Sequence, residues 1–182
     1  MSKAVEKFQT WIESFPQDIA AMQKVVDNEK VPLAARRYAT AGLNYLLQRL
    51  DIIPDSQPAT GILDDAFVLR VAALLASEHD VSAAGTEALT TCSRLSNDTD
   101  LIREFFGDDI FKKRRLYTER LAEAEVRRRR PDSILSDDKV RKAFFSEVSD
   151  EVRHFLPAPQ VKDADAIERE LKSYFKAKLA SI

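Results

Sequence analysis

The chain has 182 residues, of which 45% are apolar and 32% charged, with a formal net charge of −2. That is enough apolar content for one substantial core, while only 4 glycines argue against a sandwich or barrel rich in tight turns. The single cysteine, Cys92, excludes an intramolecular disulfide and any multi-cysteine zinc site, and it suits a reducing, cytoplasmic setting.

Val5, Phe8, Ile12 and Phe15 recur at helical spacing, so residues 2–14 read as an amphipathic helix with no apolar core of the signal-peptide kind. Pro16 suits a new helix start, continued by Ile19, Met22 and Val26. Pro32 opens a helix whose Leu43, Leu46, Leu47 and Leu50 sit three or four apart. A loop, LDIIPDSQPATGILDD, follows at residues 50–65. Residues 66–77 are apolar on nearly every side and predict a central helix, yet Arg70 interrupts the run and no membrane span is expected. Asp80 or Ser82 can cap a short helix through Leu89 and Leu95, and residues 97–100 look like a fresh start. Gly107 ends or bends that helix, and Asp108 or Asp109 restarts it. Ile110, Tyr117, Leu121 and Ala124 mark one face of a long helix to Arg130, which Pro131 breaks. Ser136 is the expected cap of a helix through Val140, Phe144, Val148, Val152 and Phe155. After Pro157 and Pro159, Ala164, Ile167, Leu171 and Tyr174 give the last helix its seam. The expectation is an all-α multi-helix bundle over residues 1–130, with a C-terminal helical pair as an appendage over 131–182.

Charge is unevenly spread: residues 51–110 carry three basic and twelve acidic side chains, and residues 111–130 carry nine basic and three acidic. The loop holds four of those acids. As turn chemistry, Pro54 ends the preceding helix near Leu50 to Ile52, Asp51 and Asp55 bond nearby amides, Pro58 stiffens the loop, and Gly61 can supply a positive φ. Asp64 or Asp65 then sits in the first turn of the apolar helix, where negative charge is favoured. As chemistry, Asp51, Asp55, Asp64 and Asp65 are candidate ligands for Mg²⁺ or Ca²⁺, or carboxylates for acid–base work. Their spacing is not that of a calcium loop, and the corner reading is preferred. Should they cluster, Arg36 and Arg37 are the expected counter-charges.

The ordered string Asp51, Ile53, Pro54, Asp55, Pro58, Gly61, Asp64, Asp65 resembles the signature of the YkvA-like family, a domain of unknown function widespread in bacteria, over about residues 32–76. The resemblance implies a small helical module and no established reaction. Ser56, Gln57, Thr60 and Arg70 make this copy more polar than membrane-associated members of that family.

Lys112, Lys113, Arg114, Arg115, Arg120 and the run Arg127, Arg128, Arg129, Arg130 form a basic stretch. It can be a solvated helix end, a protein-docking surface, or a grip on anionic lipid; the acidic middle disfavours a dedicated nucleic-acid role. His79 and His154 have no second histidine or cysteine for metal binding, Trp11 and Phe15 read as core, and Cys92 reads as a small buried residue. No nucleophile elbow or phosphate-binding glycine loop is present, and no cofactor is implied. The expected function is a non-enzymatic adaptor or regulatory interaction module with a protein partner. The alternatives are a metal-dependent enzyme built on the four aspartates and a peripheral membrane binder built on the arginines.

Overall fold

The computed structural model describes residues 3–48 and 58–180. Through them run α1 (Lys3–Asp27), α2 (Leu33–Tyr45), α3 (Pro58–Ser77), α4 (Thr86–Phe106), α5 (Asp108–Leu121), α6 (Pro131–Ser136), α7 (Asp138–His154) and α8 (Ala164–Lys178), with one 3-10 turn at Ser82–Ala84. Among the described residues there is no β-strand, only an isolated bridge between Val126 and Arg129. None of their helices is long and apolar enough to cross a membrane. The bundle is all-α, as its periodicity predicts.

α3 is the axle. Every residue from 60 to 73 is buried, and α1, α2, α4, α5 and α8 pack around it. A helix apolar on all sides has to be enclosed, and each fully buried Leu, Val or Phe contributes about 1.5–3 kcal/mol. Phe67 shows the enclosure in one side chain. Its ring meets Phe8 at 5.2 Å, Trp11 at 6.0 Å, Phe106 at 5.5 Å and Phe175 at 5.7 Å. The core continues past Pro131, for Ile134, Leu135, Phe144, Val148, Ile167, Leu171, Phe175 and Leu179 belong to the same buried cluster.

α2 lies so close to α3 that a Cβ on Gly42 would stand 2.7 Å from the Cβ of Ala72. Overpacking of this kind costs about 1–3 kcal/mol. Gly42→Ala is therefore expected to lower the unfolding free energy by that amount, read as a lower urea midpoint with an unchanged slope, despite alanine's better helix propensity.

Several boundaries differ from the sequence reading. Pro16 does not restart a helix; α1 runs through it, because Phe15, Ile19, Met22 and Val26 stay in phase with Phe8 and Ile12 and bury one continuous face. α4 runs through 97–100 likewise. The would-be capping groups are engaged elsewhere, Thr99 Oγ1 donating to the Ser96 carbonyl at 2.6 Å and Asp98 accepting from Arg70 at 3.1 Å. α5 ends at Leu121 rather than Arg130. Asp137, not Ser136, caps α7, its carboxylate accepting from the amides of Lys139 and Val140. The glycine assignment at the α4–α5 junction holds, with Gly107 at φ +86.

Cys92 is fully buried in α4, its Sγ 3.8 Å from Met22 Sδ. Burial pushes the thiol up to about 11 from an ordinary 9.0. The folded protein thus holds this proton to higher pH than the unfolded chain, and stability from this group is full below pH 9.0 and lost as pH rises toward 11. At pH 8 the native thiol is expected to resist iodoacetamide, and the same protein in urea to be alkylated, as mass spectrometry would show.

Candidate functional site

Of the four loop aspartates, Asp51 and Asp55 lie outside the described residues, as do Ile53 and Pro54. α3 begins at Pro58, earlier than expected, so Gly61 is a buried helical residue rather than a turn glycine. Asp64 and Asp65 fall in its second turn, too deep to cap the helix. Both are buried, at 0% and 5% exposure.

The Asp64 carboxylate is occupied. Oδ2 accepts from Tyr45 Oη at 2.7 Å, and Oδ1 accepts from Arg114 Nη2 at 2.5 Å. Nη2 also donates to the Asp64 carbonyl at 2.9 Å. Arg114, on α5, is 1% exposed, and its guanidinium stacks under Phe175 of α8, 4.6 Å from the ring centroid. Its Nε and Nη1 find no hydrogen-bond acceptor among the described residues. Tyr117 stands beside Tyr45, ring centroids 6.1 Å apart, and burial pushes its phenol above the ordinary value. Each oxygen of this buried carboxylate is thus engaged, one by an arginine and one by a tyrosine. No group of three or more metal-ligating side chains gathers among the described residues.

Among the described residues the counter-charge of Asp64 is Arg114, and Arg36 and Arg37 are engaged elsewhere. Arg36 Nε donates to the Val26 carbonyl at 2.8 Å, joining α2 to α1, and Arg37 pairs with Asp132 of α6. Arg114, read from sequence as part of a basic docking stretch, turns inward instead. Arg115 stays half-buried, paired with Glu78 at 2.8 Å and Glu119 at 3.0 Å.

A second buried network went unseen in the sequence. Arg70 and Asp18 are both 0% exposed, with Arg70 Nη2 donating to Asp18 at 3.4 Å and Nε to Asp98 at 3.1 Å. Arg94 closes the ring by pairing with both Asp18 and Asp98. The Arg70 guanidinium lies 3.9 Å from the Trp11 ring centroid. Burial lowers Arg70 to about 10 and raises the Asp18 carboxyl, so each ion is displaced toward its neutral form despite its partner. A detectable signal existed: a lone arginine in an apolar helix, and a lone acid, Asp18, in phase with Phe15 and Met22.

The four arginines before Pro131 do not end a helix. Val126 and Arg129 exchange two backbone hydrogen bonds of 2.9 Å, closing a two-residue turn over Arg127 and Arg128. Those two adopt φ of 49° and 64°, the pair of positive values that such a turn demands and that Asn-Gly adopts at least cost. The turn bolts α2 to α7. Arg127 donates to the Leu47 carbonyl at 3.1 Å and to Glu147 at 3.1 Å, and Arg129 donates to Glu147 at 2.7 Å. Those bonds hold the Glu147 carboxyl below the usual range. Arg130, exposed, stands 3.9 Å from Glu125, while Arg128 at the tip is exposed and has no ion pair among the described residues.

His79 and His154 follow or end α3 and α7, both exposed, and His79 stacks on Tyr38 at 6.3 Å. A family model described as a protein of unknown function (DUF1232) matches residues 35–70, in agreement with the resemblance carried by the aspartate–proline string. That stretch covers most of α2 and the first two-thirds of α3. No curated protein and no solved structure matches the chain.

Proposed function

We propose that this protein is a non-enzymatic helical adaptor, which docks an acidic protein surface through the basic turn at 126–130. The observation that carries the reading is Arg128, exposed in the left-handed region at φ 64°. A non-glycine residue there carries a strain of about 1–2 kcal/mol. Arg127 offsets its own with bonds to Leu47 and Glu147, whereas the Arg128 side chain has no partner among the described residues. Backbone strain held at an exposed charge is a mark of function. The burial of Asp64 against Arg114 supports the non-enzymatic half of the reading, since both of its carboxylate oxygens are already engaged.

Arg128→Gly separates structure from docking. The variant is expected to be as stable as the wild type or up to about 1 kcal/mol more stable, because glycine adopts this φ freely. It is also expected to lose cross-linking to its acidic partner in the native cell. Unchanged cross-linking would sink the docking site. Two other outcomes would replace the reading altogether. One is micromolar Mg²⁺ binding by calorimetry that Asp64→Asn abolishes. The other is flotation with anionic vesicles that Arg128→Gly and high salt abolish.

A further inference from the structure

We draw no further inference here: the strongest candidate, the cleft of about 760 Å³ bounded by α1, α4 and α8 with Leu101 and Phe105 in its wall, carries three lysines against three glutamates, and nothing in the structure shows what covers it.

Discussion

Replacing Arg114 with alanine is expected to destabilise the protein by about 3–5 kcal/mol, the cost of leaving a buried charge uncompensated. Asp64 is 0% exposed, and without Arg114 its carboxylate would keep, among the described side chains, the Tyr45 hydroxyl alone. Urea melts of Arg114→Ala, Asp64→Asn and the double variant measure the coupling. The double variant should be less destabilised than the two single effects added together, because the second change removes the charge that the first one stranded. A docking arginine would behave in the opposite way, losing a partner and no stability. An Arg114→Ala melt within about 0.5 kcal/mol of wild type would therefore return this residue to the surface role that its neighbours in sequence suggest.

Arg70→Ala carries the second large effect, again about 3–5 kcal/mol, since it breaks a buried network and leaves Asp18 to the half-exposed Arg94 and the Ser14 hydroxyl. Here the double replacement is expected to do more than recover. Burial raises the folded-state Asp18 carboxyl above its ordinary 3.8, so the folded protein binds this proton more tightly than the unfolded chain does. Stability from this group is thus full below pH 3.8 and lost as pH rises through the raised value, which makes the ionised pair a cost at neutral pH. Asp18→Leu with Arg70→Met removes both ions and leaves Arg94 and Asp98 paired at 3.7 Å. That variant is expected to match or exceed wild-type stability at pH 7 and to lose the advantage in acid. A double variant as unstable as Arg70→Ala would show that the pair stabilises the core.

The helices were legible because their apolar residues recur in phase over ten residues or more, as in Ile167, Leu171 and the rows of α1 and α7. Boundaries were less so. Pro16 and the cap-rich 97–100 carry strong local signals, but burial of a continuous face overrides a local preference worth a kcal/mol or so. The arginine run misled for a related reason. Helix-dipole logic places four arginines at a helix end, and only the pairing of Val126 with Arg129 shows that the chain turns back on itself there. At the site, the sequence marks Asp64 as unusual without naming its partner, which lies fifty residues on in α5. Charge partners that distant are set by how helices stack, and stacking leaves no mark in local spacing. In the sequence Arg70 reads as an interruption of an apolar run, although a lone cation in an enclosed helix already calls for an acid facing it.

α3 is enclosed on every side, and the helices that enclose it come from both ends of the chain. The family match stops at residue 70, inside that helix. In this fold the matched stretch therefore depends for its enclosure on helices outside it. Cut out at its own borders, it would carry Asp64 with no cation to answer it and a cylinder of bare apolar surface. A fragment of that kind is expected to melt without cooperativity, and what its sequence specifies is a set of demands that the rest of the polypeptide meets.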